Sequence, residues 1–174
     1  YRETSLVPEC DSAIEDIVNE CITSDITDRI VALDLRDVKL SDSIKNKMQD
    51  EFAHILSLMK FNQNSHEIFR KWYVDGRIYH HLVVNESNLK AGIQEIRPID
   101  SAKIRKVKQV KKKKDPNTGV SLIEKVDAYY IFQDKPGNQY SGGVKMTLDS
   151  VSYCTSGLLD ESRRRIVSYL HKAL

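Results

Sequence analysis

The residues of this chain that are able to do chemistry are few, and their spacing works against it. His66-Glu67-Ile68-Phe69-Arg70 opens like the helix of a zinc peptidase, but Arg70 stands where a second histidine is required. That motif holds its metal with two imidazoles one turn apart on one helix face, so its ligand pair is missing. His80 and His81 are adjacent in a β-type run. Neighbours on a strand point to opposite faces, so the two cannot bind one metal directly and read as packing and edge polarity. Asp25, Asp28, Asp34 and Asp37 have the composition of a two-metal nuclease cluster. Asp34 falls on the polar side of a predicted strand and the others in flanking loops, which is the pattern of a solvated face. No phosphate-binding loop, nucleophile elbow or dinucleotide-binding glycine turn is present. Tyr129 and Tyr130 alternate across a strand and lack the spacing of an RNA-binding sheet. The residues therefore imply no catalytic site, no metal and no cofactor.

Charge is more informative. Between Lys103 and Lys114 lie eight basic residues and no acid: Lys103, Arg105, Lys106, Lys108, Lys111, Lys112, Lys113 and Lys114. The chain as a whole carries +2, and without these eight it carries −6. Such a run can grip phosphates, dock an acidic protein, or simply keep a hairpin solvated. A second basic group, Arg163, Arg164 and Arg165, suits a subunit or shell contact or an ordinary solvated face.

The elements that must carry these residues follow from periodicity. Ile14, Ile17, Val18, Cys21 and Ile22 repeat at helical spacing, with Asp11 or Ser12 as the cap. Residues 30–35 alternate and predict a half-buried strand. Ser41 caps a helix of about five turns with Ile44, Met48, Phe52, Ile55, Leu56 and Met59 toward the core. Ser65 caps a third helix carrying Ile68, Phe69, Trp72 and Tyr73, and Gly76 ends it. From there the period changes to that of strands: 77–84, then 92–99 with Pro98 at its end or on an edge, then the basic run. Asp115-Pro116-Asn117-Thr118-Gly119 is turn chemistry and folds the run into a hairpin with 120–132. Ile104, Val107 and Val110 sit three apart, so the basic arm carries a bulge or twist. One or two strands follow the flexible connection at Gly142 and Gly143. A last helix begins at Asp160, with Ile166, Leu170, Ala173 and Leu174 on one face.

These elements predict an α+β fold: amphipathic helices packed on a mainly antiparallel sheet, with a protruding lysine-rich hairpin. At 174 residues they fit one domain over 1–174, with a mainly helical part (1–75), a β-rich part (76–155) and a closing helix (156–174). No apolar run approaches the ~18 residues needed to cross a bilayer. The three cysteines, Cys10, Cys21 and Cys154, lack paired spacing and predict reduced, buried thiols. The chain begins with Tyr1 and ends inside a helical pattern, so it reads as a fragment.

Four segments, 1–20, 66–84, 92–110 and 153–174, together resemble, in order and spacing, the portal vertex protein of large contractile-tailed, T-even-type phages. The resemblance implies a structural subunit with no catalytic residues, the packaging ATPase residing in a separate protein. It implies a homo-oligomeric ring, usually of twelve subunits, at one capsid vertex. That ring would nucleate head assembly, dock the terminase motor, pass double-stranded DNA in and out, and seat the neck and tail. It implies as partners the major capsid and scaffold proteins, with any membrane contact confined to head assembly, and a place in the virion after assembly in the host cytoplasm. The fragment resembles the peripheral wing, with residues 168–174 leading toward the stem. A ring wing would place the lysine hairpin away from the tunnel, as a peripheral electrostatic surface. The alternative is a stand-alone nucleic-acid-binding module using 103–114.

Overall fold

The computed structural model describes residues 1–23, 30–114, 121–134 and 142–174, excepting the side chains of 112–114 and 121–124. The sequence Pro8–Cys21 forms α1. It begins a turn earlier than the capping residues predict, because Pro8 occupies the first helical position, where its missing N–H costs nothing and its fixed φ suits the helix. Glu9 and Asp11 in the first turn add favourable charge at the dipole's positive end. Ile14 and Val18 are 1% exposed and face α3, while Cys21 lies outside that stripe.

Residues 30–40 do not form the predicted strand. Asp34 accepts the Arg36 backbone N–H at 3.0 Å and pairs with the Arg36 guanidinium at 2.6 Å, a local turn that competes with extension. Only Leu35 of the alternating set is buried.

The second helix, α2, spans Asp42–Leu58 with Ser41 at its N-cap, as predicted, though no hydroxyl cap bond forms. Its predicted core face is half covered. Phe52, Leu56 and Met59 are partly buried, whereas Ile44, Met48 and Ile55 are exposed. Lys60 takes a left-handed conformation at the corner, and α3 runs Phe61–Asp75. It starts before the predicted Ser65 cap, and Ser65 is instead buried inside the helix without a hydroxyl partner. Arg70, the residue that spoils the metal motif, reaches α1 and bonds Asp11 at 2.5 Å and Glu15 at 2.9 Å.

Strands β1 (Arg77–Val84), β2 (Ile93–Ile99) and β6 (Val151–Thr155) form one antiparallel sheet with β1 in the centre. Pro98 lies on the edge strand β2, opposite His80, as its missing donor requires. A second antiparallel sheet contains β3 (Ile104–Lys114), β4 (Ser121–Phe132) and β5 (Val144–Met146). Among the described residues six strands therefore divide into two sheets. Tyr79, Ile104, Tyr130 and Val151 join them in a buried cluster. The Tyr79 ring stacks on Tyr153 at 4.7 Å and meets Tyr130 edge-on at 5.9 Å. Gly143 makes a close approach to β4: a Cβ there would lie 2.5 Å from the Phe132 carbonyl oxygen, whereas Gly142 has open space around it.

The largest departure is at the C-terminal end, where 156–174 contains no α-helix. Asp160 caps a turn, its Oδ1 accepting the N–H groups of Arg164 (2.9 Å) and Arg165 (3.2 Å), and Arg163 adopts φ +54°. Leu159 bridges Ile166, and only Tyr169–Ala173 coils, as a 3-10 turn capped by Ser168. Val167, Ser168 and Leu170 are buried, while Ala173 and Leu174 are exposed. This segment crosses the joint between α3 and β1. The Gly76 carbonyl accepts the Ser156 N–H at 2.8 Å, Ser156 Oγ donates to the Val167 carbonyl at 2.7 Å, and Ser168 Oγ donates to the Tyr73 carbonyl at 3.1 Å. Leu170 then joins Ile14, Val18 and Val74 in the helical core. The cysteines are free, with Cys10 half-buried and Cys21 and Cys154 exposed, so they are not core thiols. Among the described residues no helix is long and apolar enough to cross a membrane.

Gly76 has φ +71°, and a Cβ there would sit 2.6 Å from the Val167 oxygen. Gly76→Ala should cost about 2–3 kcal/mol. Gly157→Ala, at φ +73° in open space, should cost about 1 kcal/mol. Urea midpoints of the two variants test this, and equal losses would refute the close crossing.

Arg2 ties the chain's start to the same joint. It bonds Asp75 and Asp100, each at 2.6 Å, and Ser101 Oγ donates to Asp75 at 2.6 Å. Burial pushes the Asp75 carboxyl up, but hydrogen bonds from Arg2 and Ser101 outweigh it and hold it below the ordinary value. Arg2, then the Ala102 N–H, lowers Asp100. Both folded-state values are depressed, so this stabilisation is full above the unfolded carboxylate pKa of about 4 and is lost as pH falls through the folded values. Arg2→Gln should cost about 1–2 kcal/mol at neutral pH and raise the pH of acid unfolding. A circular dichroism titration with an unchanged acid midpoint would overturn this.

Candidate interaction surfaces

The basic run lies on one arm of a two-stranded ribbon whose base is well anchored. Ile104 and Tyr130 are buried in the inter-sheet cluster. Lys103, just before β3, bonds Asp134 at 2.6 Å, and its carbonyl accepts the Gln133 N–H at 2.8 Å. The Asp134 contact raises the Lys103 pKa. Lys103 therefore closes the ribbon's base and differs in role from the other seven basic residues.

Beyond the base, Arg105, Lys106, Lys108 and Lys111 are exposed. Strand alternation separates them: Lys106 and Lys108 share a face with Ile104 and Val110, while Arg105 and Lys111 share the other with Val107. Lys106 Nζ is 5.9 Å from the Tyr130 ring centroid, and Lys145 Nζ sits 4.0 Å from that of Tyr129. Each tyrosine thus carries the ammonium of an exposed lysine on its own face of the sheet, a contact worth about 0.5–1 kcal/mol. Lys112, Lys113 and Lys114 continue the strand backbone. The predicted irregularity occurs between Lys111 and Lys112, but the extra residue is on β4: Lys111 pairs with Lys125 and Lys112 with Ile123, skipping Glu124. The predicted turn at 115–119 lies outside the described residues.

Arg163, Arg164 and Arg165 are exposed on the Asp160 turn and not on a helix. The turn uses the backbone N–H groups of the latter two and leaves their guanidinium groups to solvent. The candidate metal residues are not brought together. Asp34 is engaged by Arg36, and Asp25 and Asp28 lie outside the described residues. His80 and His81 face opposite sides of β1, and burial holds His80 below its ordinary pKa. Among the described residues no group of three or more His, Cys, Asp or Glu is placed to hold a metal ion.

Two features escaped the residue-by-residue reading. The Arg2–Asp75–Asp100 cluster spans 98 positions of sequence, so no local pattern reveals it. The acidity of α1 was legible, because Pro8–Cys21 contains Glu9, Asp11, Glu15, Asp16 and Glu20 and no base.

The geometry sets out two separate charged surfaces, and similarity to known proteins gives the family. The family model described as Bacteriophage T4-like portal protein (Gp20) matches residues 1–174. The portal protein of Vibrio phage KVP40 is 29% identical over 185 residues, covering 100% of this chain and 35% of that protein. The portal protein of Salmonella phage ViI is 33% identical over 144 residues, covering 82% of this chain and 26% of that protein. The chain thus spans about a third or less of these relatives. With a family match along its whole length and an α+β structure of two antiparallel sheets, this chain belongs to the T4-like phage portal protein family.

Proposed function

We propose that this chain is the peripheral, wing-like part of a portal subunit, and that its role is architectural. The observation that carries the reading is the family match over all 174 residues. Twelve such subunits form a ring around a channel for double-stranded DNA at one vertex of the phage head. The ring nucleates head assembly with the capsid and scaffold proteins, docks the terminase motor during packaging, and later seats the neck. The motor and neck contacts belong to parts of the subunit beyond this chain, and residues 168–174 lead toward the stem. The protruding ribbon supports a peripheral placement, because it extends the chain's reach away from both cores.

The run of basic residues also favours a second reading, a nucleic-acid-binding module. That reading requires the isolated chain to retain duplex DNA with a log K against log salt slope of several units. The portal reading expects no retention near physiological salt and, for the full-length subunit, rings with a central channel in electron micrographs. Only monomers or open filaments at high concentration would overturn it.

A further inference from the structure

Two oppositely charged surfaces of this chain are exposed: the stretch of the β3–β4 ribbon beyond the inter-sheet core, on the face that starts at Ile104, and the outer side of α1. On the ribbon, Lys106 and Lys108 share a face with the cross-strand pair Val110 and Val126, which are 40% and 46% exposed. On α1, Asp11 and Glu15 are held by Arg70. Glu9, Asp16 and Glu20 are exposed, without an ion-pair partner among the described residues. At 3.6 residues per turn these three lie within about 40° of one line along the helix. Ala13, also exposed, falls in the same stripe. Beside it runs a shallow groove of about 420 Å³, lined by Ala13, Ile17, Tyr169 and Leu170, with Lys172 as its one basic residue.

We propose that the β3–β4 ribbon of one copy docks along α1 of a second copy, so that neighbouring subunits join head to tail. The spacings agree. Alternate residues on a strand, such as Lys106 and Lys108, stand about 6.7 Å apart. Asp16 and Glu20, one turn apart, are separated by about 6 Å along the helix. The two carboxylates receive the two ammonium groups, and Val110 and Val126 cover Ala13 and enter the groove. The two patches differ, so the contact is heterologous and its repetition closes a ring when the rotation per subunit allows.

The inference rests on the ring reading above and names a contact that would build it. Duplex DNA is a poorer occupant of the ribbon. Phosphates satisfy the lysines but offer nothing to the exposed valine pair, and the rest of the chain, at −6, repels a polyanion. Single exposed ion pairs contribute little, so the contact depends on several in register and weakens with salt.

A charge swap in the full-length subunit tests the contact. Lys106→Glu with Lys108→Glu should raise the concentration needed for assembly about tenfold or more, as should Asp16→Lys with Glu20→Lys. Combining all four should restore it, which also shows that the reversed proteins fold. Sedimentation and electron microscopy at low salt give the readout. Equal assembly by all variants, or no rescue by the combination, overturns the docking and leaves the ring reading standing if the wild type forms rings. A wild type that forms no ring overturns both. If the ribbon variant loses retention of a duplex oligonucleotide while the α1 variant assembles normally, the ribbon belongs to nucleic acid and the proposal fails.

Discussion

The crossing of residues 156–168 over Gly76 is the constraint from which the rest of the structure follows. At that point α3 ends and β1 begins, so a single residue sets the direction of the helical part relative to the first sheet. The close approach of the Val167 carbonyl requires that residue to lack a side chain, and its positive φ selects glycine independently. The strap that crosses it is held by Ser156 and Ser168, both bonding backbone carbonyls. Its far end delivers Leu170 into the core of α1 and α3, so the last residues of the chain complete the packing of the first helix. Arg2 secures the other side of the same joint through Asp75 and Asp100. The two ends of the chain thus converge on one short segment.

Once that joint is rigid, the charged surfaces acquire fixed places. The helical core presents the acids of α1 outward. The inter-sheet core grips the ribbon at Ile104 and Tyr130, while its outer length packs mainly on itself. A protein that carries a net basic arm and a net acidic helix on different elements is polar as an object. Polarity of that kind suits an assembly in which each subunit meets its neighbours with unlike faces. Lysines along an edge strand also discourage indiscriminate strand pairing.

The fold was legible where a local pattern and its burial agree. Strand β1, the edge position of Pro98 and the end of α3 at Gly76 all follow from residue type, because β-branched runs, a missing donor and a left-handed terminus are local requirements. The failures share a cause. Residues 30–35 alternate but have a competing Asp34–Arg36 turn and, among the described residues, no strand paired with them. Residues 160–174 have helical apolar spacing, yet Asp160 spends its carboxylate on a turn and Ser156 takes the Val167 carbonyl. In both places a side chain supplied hydrogen bonds that regular structure would otherwise have provided. The face of α2 is only half covered, with Ile44, Met48 and Ile55 exposed, because periodicity marks an apolar face without saying what covers it.

The sequence by itself determined the fold class, the want of a metal-ligand pair in the His66–Arg70 motif, the hairpin's basic charge and the family resemblance. These depend on residue identities and short spacings, which survive without a three-dimensional arrangement. Only the tertiary structure decided that the strands form two sheets, that Lys103 anchors the ribbon's base while Lys106 and Lys108 stay exposed beyond it, that Arg163–Arg165 ride a turn, and that Arg70 joins α3 to α1. Each of those outcomes is a contact between residues far apart in the chain. Such contacts are selected by which surfaces the whole fold brings within hydrogen-bonding or van der Waals range, and no local period encodes that choice.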